Sequence, residues 1–253
     1  MTIFQAVFLA VVQGLTEFLP VSSSGHLVLF QKIFGFSNPP VFFDVLLHLG
    51  TLGSIIIFFK KDLWNLFFDL KKNTHTLKYL ILGTIPAVFF GYLFNLQLES
   101  TFNSLILVAI AWIFFGLILF LTSKIKNKTK EITWQDSLIV GFFQALALIP
   151  GISRSGLTIS AGLLRGLSHE SAFKFSFLLA IPAILGATIW EAKDIHFTEI
   201  NLFQDILAIV VAGVVGYLSL RILQKMLKSN MFFYFGYYCM SLGIITLLIL
   251  AML

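Results

Sequence analysis

Six long apolar segments dominate the chain, and each is about the length of a helix that crosses a membrane. A helix needs roughly 20 mainly apolar residues to cross the hydrocarbon core of a bilayer. The segments that meet this requirement approximately are residues 40–60, 77–96, 104–123, 171–191, 203–225 and 232–252. The pattern therefore predicts an all-α integral membrane protein with six transmembrane helices.

Two further apolar stretches, residues 2–34 and 134–166, are interrupted by proline and glycine about halfway along. Each arm on either side of the interruption is too short to cross a bilayer. Irregular backbone at membrane depth is tolerated only where protein or a cavity surrounds it. We therefore expect each stretch to form a re-entrant helix-turn-helix pair.

Composition supports a membrane protein, and the distribution of charge gives an orientation. Hydrophobic residues make up 58% of the chain and charged residues 11%, whereas soluble domains have about 25% charged residues. Most of the basic residues flank or fill four loops, which the positive-inside rule places in the cytoplasm, with both termini outside. These residues are Lys60, Lys61, Lys71, Lys72, Lys78, Lys124, Lys126, Lys128, Lys130, Arg165, Lys174, Arg221, Lys225 and Lys228. The net charge of +5 is explained by contact with anionic membrane lipids and requires no nucleic acid.

The order of the segments predicts an internal repeat. Each half of the chain holds one re-entrant pair followed by three crossings, so the second half enters the membrane upside down relative to the first. We expect a single membrane domain over 1–253, built from inverted-topology repeats at approximately 1–123 and 134–253. The two broken pairs would then meet near the midplane, where such repeats place their sites.

The polar residues of the two interrupted stretches read as imperfect copies of each other. Each copy contains a Gln, an apolar run, a Pro, a Ser-rich turn and a Gly, over residues 13–26 and 144–156. The first copy adds Glu17 and His26, and the second adds Arg154. Because ionisable residues in the hydrocarbon region are expensive and by default functional, these three are candidate site residues.

Arg154 lies in a turn that opens a predicted helix, which predicts an anion site. Its guanidinium can bind a phosphate in a forked arrangement, and free amides at a helix N-terminus point at the same anion. The same argument applies to the first turn. The predicted substrate-binding residues are Ser22, Ser24, Gly25, Ser153, Ser155, Gly156 and Thr158. The alternative is that the serines only cap the two broken helices.

Gln13 and Glu17 are four residues apart and share one helix face. A carboxylate with a neighbouring amide oxygen is an environment that Mg²⁺ or Ca²⁺ prefers, so both residues are candidate metal ligands. The alternative is that they only hydrogen-bond the opposite turn. Asp44 and His48 have the same spacing. One interpretation is that they orient His26 or the metal ion without contacting the substrate. The alternative is that they only bond each other as a structural pair.

The chain resembles the undecaprenyl-diphosphate phosphatases of the bacitracin-resistance type over essentially its whole length. Two motifs support the resemblance: Gln13 to Glu17 running into Pro20-Val21-Ser22-Ser23-Ser24-Gly25-His26, and the Pro-Gly-x-Ser-Arg-Ser-x-x-Thr pattern at Pro150 to Thr158. The resemblance implies an inner-membrane enzyme that removes the terminal phosphate of undecaprenyl diphosphate. The product is the lipid carrier of peptidoglycan synthesis. The family uses a divalent cation and a pocket facing the periplasm, and members with Glu at the position of Gln13 have a second carboxylate.

Phosphoryl transfer at such a site would use Arg154, the helix N-termini and a metal on Glu17 to neutralise phosphate oxygens. His26 would be the nucleophile or the general acid/base, and Ser23 its partner or the rival nucleophile. The sequence does not choose between them. Two alternatives to an enzyme are a polyprenyl-phosphate flippase or transporter and an anion channel, because inverted repeats with broken helices are typical of transporters. The expected partners are a polyprenyl diphosphate and membrane lipids, and the oligomeric state, monomer or homodimer, stays open.

Overall fold

The computed structural model describes residues 1–36, 41–94, 104–125, 128–191 and 201–252, and these residues form helices and turns with no strand among them. The helices are α1 (Ile3–Phe18), α2 (Ser23–Ile33), α3 (Val41–Phe58), α4 (Lys60–Phe68), α5 (Leu70–Leu93), α6 (Leu105–Leu121), α7 (Trp134–Leu146), α8 (Arg154–Leu164), α9 (His169–Glu191), α10 (Leu202–Lys228) and α11 (Tyr234–Met252). A short 3₁₀ turn, Thr122–Lys124, ends α6. The predicted all-helical class is confirmed.

Five helices in the described part of the chain are long and apolar enough to cross a membrane. They are Asn73–Leu93, Leu105–Lys124, His169–Trp190, Leu202–Lys228 and Tyr234–Met252. The predicted first span, 40–60, corresponds to α3, which meets the same test only together with α4, across a bend of 73°. The protein is therefore a multi-pass membrane protein with five such helices, or six if the bent pair is one span.

Both interrupted stretches form two helices joined by a turn, as the sequence predicts. Residues that precede a proline disfavour helical backbone, and Leu19, before Pro20, is extended at φ −64° and ψ 143°. Ser22 then has a positive φ of 69° and begins α2. In the second stretch Gly151 has a φ of 94°, a conformation that glycine adopts without steric cost. Pro20 thus follows the end of the first arm in the first pair, and Pro150 and Gly151 lie in the turn of the second pair.

Helix packing exchanges elements between the two halves of the chain. Helix α1 packs on α10, and α7 packs on α5. The other extensive contacts include α6 with α11 and α3 with both α10 and α9. Small residues allow close approach: a Cβ on Gly14 would lie 2.8 Å from the backbone oxygen of Ala212, and a Cβ on Gly141 would collide with the backbone of Gly83.

The largest buried side chains lie next to the two turns. Phe18, Trp112, Phe115 and Phe177 are fully buried and belong to one apolar cluster. Phe18 packs edge-to-face on Phe177, with ring centroids 5.5 Å apart. By contrast, many large apolar side chains on the outer faces of the spans are more than half exposed, which suits a surface in contact with lipid tails. This apolar core packs against the two turns and holds them in place.

Helix α7 is anchored at its first turn by Asp136, whose side chain is fully buried. Lys130 Nζ donates to Asp136 Oδ2 at 2.7 Å, and Arg165 Nε donates to Oδ1 at 2.7 Å. Burial would raise the pKa of this carboxyl, but the hydrogen bonds from Lys130, Thr133 and Arg165 outweigh that effect and hold the pKa well below its usual range. The network ties the start of α7 to the end of α8, which carries Arg154 at its other end.

Candidate active site

Glu17 and Arg154 form an ion pair between the two halves of the chain, through Glu17 Oε1 and Arg154 Nη2. The other carboxylate oxygen, Oε2, accepts a hydrogen bond from Ser23 Oγ at 2.6 Å and one from Gln13 Nε2 at 3.2 Å. Charge-assisted hydrogen bonds of this kind are about twice as strong as neutral ones. The structure therefore brings Gln13, Glu17, Ser23 and Arg154 together, as the sequence predicts.

His48 approaches the same carboxylate from α3. Its Nε2 lies 3.7 Å from Glu17 Oε2, and its Nδ1 is 2.7 Å from the backbone oxygen of Asp44. The Asp44 carboxylate accepts two hydrogen bonds from Gln31 Nε2, at 2.9 and 3.0 Å. Of the predicted pair, His48 is thus beside Glu17, while Asp44 contacts His48 through its backbone.

His26 is buried and held on both ring nitrogens. Its Nδ1 is 2.7 Å from the backbone oxygen of Ser22, and its Nε2 is 2.8 Å from the Tyr238 hydroxyl. The imidazole lies parallel to the Tyr238 ring and edge-on to Trp112, whose Nε1 donates to the backbone oxygen of Val21 at 3.0 Å. Sequence reasoning missed Tyr238 and Trp112, because both lie in apolar spans rich in aromatic residues and without a polar motif.

One serine at each of the two turns caps a helix, so capping, the alternative interpretation, accounts for part of the serines' role. Ser22 Oγ accepts from the Gly25 amide at 3.3 Å, and Ser153 Oγ accepts from the Gly156 amide at 3.3 Å. Ser24 Oγ lies 3.2 Å from Ser22 Oγ. Capping satisfies one of the free amides at each helix start and leaves others without a partner within the helix.

Two hydroxyls also lock one turn to the other. Ser22 Oγ accepts a second hydrogen bond from the Gly151 amide at 3.1 Å, and Ser155 Oγ donates to the backbone oxygen of Phe18 at 2.9 Å. Thr158 Oγ1 donates to the backbone oxygen of Arg154 at 2.8 Å and lies 2.6 Å from Ser176 Oγ. These bonds fix the relative position of the residues that contact Glu17.

The two predicted glycines have a packing reason in addition to any ligand contact. A Cβ on Gly25 would lie 2.7 Å from the Trp112 ring. A Cβ on Gly156 would collide with the Phe115 ring and lie 2.9 Å from Pro20. Both helix starts therefore need glycine to sit against the aromatic core, and their role in substrate binding stays a prediction.

Several buried polar atoms around the turns have no hydrogen-bond partner among the described residues. They are Arg154 Nη1, Gln13 Oε1 and both amide atoms of Gln144. Because buried polar groups in native proteins are nearly always paired, these atoms are candidates for contact with a polar ligand. Gln144 lies at the position equivalent to Gln13, but Leu148 stands where the first turn has Glu17. Gln144 therefore lacks the carboxylate that Gln13 bonds.

A metal ion would have few protein ligands here. Within the described residues, no group of three or more His, Cys, Asp or Glu side chains is placed to hold one. Glu17 offers a carboxylate, and Gln13 offers the buried, unpaired Oε1. Mg²⁺ commonly uses one or two protein carboxylates and completes its shell with water and substrate phosphate. The two residues fit a cation that is shared with a phosphate.

Comparison with known proteins gives one consistent family. A family model described as "Bacitracin resistance protein BacA" matches residues 6–245. A protein of Carboxydothermus hydrogenoformans, named "Undecaprenyl-diphosphatase", is 43% identical over 99% of this chain and 98% of its own length. Proteins of the same name from Pelotomaculum thermopropionicum and Thermosipho africanus are 41% and 42% identical, over 99% and 94% of this chain and 98% and 97% of their own lengths.

Proposed function

The chain belongs to the bacitracin resistance protein BacA family, and we propose that it hydrolyses undecaprenyl diphosphate to undecaprenyl phosphate and inorganic phosphate. The relatives that cover nearly the whole chain are named for this activity. The reaction returns the lipid carrier to peptidoglycan synthesis and opposes bacitracin. The chain is thus a phosphoric anhydride hydrolase that acts on a membrane lipid.

The observation that best supports a phosphate substrate is the state of Arg154. One guanidinium nitrogen, Nη2, pairs with Glu17, while Nη1 is buried without a hydrogen-bond partner among the described residues. Arg154 is also the first residue of α8, where helix amides favour an anion. A buried, half-used guanidinium at a helix N-terminus suits a phosphate oxygen, which accepts charge-assisted hydrogen bonds.

Ser23 is the nucleophile in this proposal, and Glu17 is its base. The Ser23 hydroxyl points at Glu17 Oε2 from 2.6 Å, so the carboxylate takes the proton as Ser23 Oγ bonds to the terminal phosphorus. The bond from that phosphorus to the bridging oxygen breaks, and undecaprenyl phosphate leaves. Arg154 and the N-terminal amides of α2 and α8 neutralise the charge on the transferring phosphoryl group.

His26 acts in the second step. In this step water attacks the phosphoserine. The new bond from the water oxygen to phosphorus forms as the bond from phosphorus to Ser23 Oγ breaks, and Ser23 recovers its proton from Glu17. A neutral imidazole can accept the proton of the attacking water. Because Nδ1 faces the backbone oxygen of Ser22, Nε2 is the nitrogen placed to do so.

A divalent cation, Mg²⁺ or Ca²⁺, belongs to this proposal, with Glu17 and Gln13 as its protein ligands. When bound, it would neutralise phosphate charge as a Lewis acid. The unpaired Gln13 Oε1 supports this assignment. Asp44 and His48 then orient Glu17, since His48 lies between the Asp44 backbone oxygen and the Glu17 carboxylate.

The arrangement in the membrane that we propose is an inverted repeat in one domain, over approximately 1–123 and 134–253. The exchanged packing of α1 on α10 and α7 on α5 supports it, as do the copied turns. In this arrangement α1–α2 and α7–α8 are re-entrant pairs in the inner membrane, with the site and both termini outside. The loops near Glu99 and Lys193, used to predict this orientation, lie outside the described residues.

Purified protein in detergent tests the activity. With undecaprenyl diphosphate and Mg²⁺ or Ca²⁺ present, we expect release of inorganic phosphate that Arg154→Ala abolishes. Absence of phosphate release, together with movement of labelled polyprenyl phosphate across liposomes, would instead establish the transporter alternative. Both readouts use the same preparation, so a sample that shows neither phosphate release nor lipid movement is recognised as inactive protein.

Cysteine labelling tests the orientation. Cys239 is buried, so a membrane-impermeant thiol reagent should report only an introduced cysteine. The cells keep an intact inner membrane, and only the layer outside it is permeabilised. Under these conditions Gly35→Cys, at the end of α2, should be labelled. Lys228→Cys, at the end of α10, should be labelled only after the inner membrane is opened. The reverse pattern would contradict the proposed orientation.

A further inference from the structure

We propose that Tyr238 is a positioning residue for His26, which it holds with Nε2 as the reactive nitrogen. The proposal rests on the role of His26 in the proposed hydrolysis. Tyr238 comes from α11, the last helix of the chain, 212 residues after His26. It belongs to neither of the two polar turns.

The hydrogen bonds of the imidazole determine which nitrogen can react. A backbone oxygen only accepts, so the Ser22 oxygen, 2.7 Å from Nδ1, requires the proton on Nδ1. In the neutral ring Nε2 then has a lone pair and accepts from the Tyr238 hydroxyl at 2.8 Å. The hydroxyl therefore holds Nε2 in place before the reaction, and the attacking water then takes over the same lone pair.

Ring contacts hold the imidazole in its plane independently of that hydrogen bond. The Tyr238 ring is parallel to it within 7°, with centroids 5.8 Å apart. Trp112 closes the other side edge-on, with centroids 5.2 Å apart. Because Tyr238→Phe keeps the ring and removes only the hydroxyl, this substitution separates the hydrogen bond from the packing.

The neighbouring Tyr237 provides a matched control. It lies on the same helix and is 48% exposed, compared with 46% for Tyr238. Its ring packs on Phe120, Phe233 and Tyr234 instead of His26. Tyr237→Phe therefore removes a hydroxyl from a residue of similar exposure on the same helix.

Steady-state kinetics of the full chain in detergent test the role of the hydroxyl. We expect Tyr238→Phe to lower kcat about 10- to 100-fold, with KM changed less than about twofold. Without the hydroxyl, His26 is no longer held with Nε2 in place and loses part of the roughly 10²–10⁴-fold that a general base contributes. Tyr237→Phe should match the wild type in both constants. A Tyr238→Phe variant with unchanged kcat would overturn the proposal.

Nitrogen NMR of ¹⁵N-histidine-labelled protein gives a readout that does not depend on turnover. The His26 Nε2 resonance, assigned by its absence in His26→Gln, should shift in Tyr238→Phe and stay in place in Tyr237→Phe. A lowered kcat without this shift, at an unchanged unfolding temperature, would also overturn the proposal. If the wild type releases no phosphate but the resonance shifts, the proposed function fails while the Tyr238–His26 contact is upheld.

Discussion

Ser23 and Arg154 occupy equivalent positions in the two polar turns and bind opposite oxygens of the same carboxylate. Ser23 bonds Glu17 Oε2, and Arg154 pairs with Oε1. A separation of 131 residues relates them, as it relates Gln13 to Gln144 and Ser22 to Ser153. One side of the repeat therefore has a serine hydroxyl where the other has a cation, and Glu17 contacts both.

Loss of the cation should be the most damaging single change. Arg154→Ala removes the charge that, in the proposed function, faces the transferring phosphate, and we expect kcat/KM to fall by about 100-fold or more. Arg221→Ala, which removes an exposed guanidinium that contacts Tyr217, is the control and should retain activity. Phosphate release at several substrate concentrations measures both variants. Wild-type turnover in Arg154→Ala would exclude this residue from the site.

An added carboxylate should strengthen the proposed cation site. Gln13→Glu places a second negative charge beside Glu17, so a lower concentration of Mg²⁺ should give half-maximal activity. Gln5→Glu adds the same charge on the same helix, in its first turn, and should leave the Mg²⁺ requirement as it is. A titration of activity against Mg²⁺ compares the three proteins. An identical midpoint in all of them would argue that Gln13 is not a ligand.

Trapping should locate a covalent phosphate. With substrate labelled in the terminal phosphate, rapid denaturation should leave an acid-stable phosphoserine at Ser23, found by peptide mass spectrometry. Ser23→Ala should abolish it. Ser168→Ala is the control, because Ser168 contacts Ser171 at the start of α9 and its loss should leave the label in place. An acid-labile, base-stable phosphohistidine at His26 would instead make His26 the nucleophile.

The buried Asp136 network should contribute measurably to stability. Asp136→Asn leaves Lys130 and Arg165 without their carboxylate and should lower the free energy of unfolding by about 2 kcal/mol at neutral pH. Asp62→Asn, at a partly exposed pair with Lys174, should change it by less than about 1 kcal/mol. Thermal unfolding in detergent measures both. Equal losses would mean that burial adds nothing at Asp136.

The same network predicts the direction of a pH effect. The lowered pKa of Asp136 means that its ionised form stabilises the fold at pH values above the ordinary aspartate pKa of about 3.9. That contribution is lost as the pH falls through the lower value in the folded protein. The stability difference between the wild type and Asp136→Asn should therefore be constant from pH 5 to 8 and narrow towards pH 2. A difference that narrows between pH 8 and 6 would contradict this assignment.

Packing against Phe115 should make Gly156 intolerant of a methyl group. Gly156→Ala forces the added Cβ into the buried Phe115 ring and against Pro20, and we expect a loss of about 1–3 kcal/mol in stability. Gly53→Ala adds a methyl group where nothing lies within 4 Å and should be neutral or slightly stabilising. The unfolding temperatures of the two variants test the difference. Equal temperatures would show that Phe115 can move.

The positions of the helices and the paired turns follow from the sequence because their physics is local. Apolar length predicts the spans, and Pro20, Pro150 and Gly151 predict the breaks. Glu17 and Arg154 could be predicted as residues of one site because charge in a lipid-like chain is expensive, whereas their ion pair comes from the structure. Gln13 was correctly placed on the same helix face as Glu17, which it contacts.

The aromatic side of the site could not be predicted in the same way. Tyr238 and Trp112 are chosen by long-range packing, and in sequence they resemble the aromatic residues of the lipid-facing surface. The Asp44 carboxylate accepts from Gln31, a partner in another helix that no spacing rule identifies. Ser22 and Ser155 also bridge the turns, a role that depends on how the two halves meet.

The ion pair between Glu17 and Arg154 has a consequence for biogenesis. The two residues are 137 positions apart, and at about 5–20 residues per second the ribosome needs roughly 7–27 s to make the second after the first. During that interval the Glu17 carboxylate has to stay hydrated or protonated, because an unpaired charge in hydrocarbon is strongly disfavoured. In the proposed re-entrant arrangement, the first turn would therefore reach its final depth only when the later half of the chain arrives, so the two halves would complete insertion together.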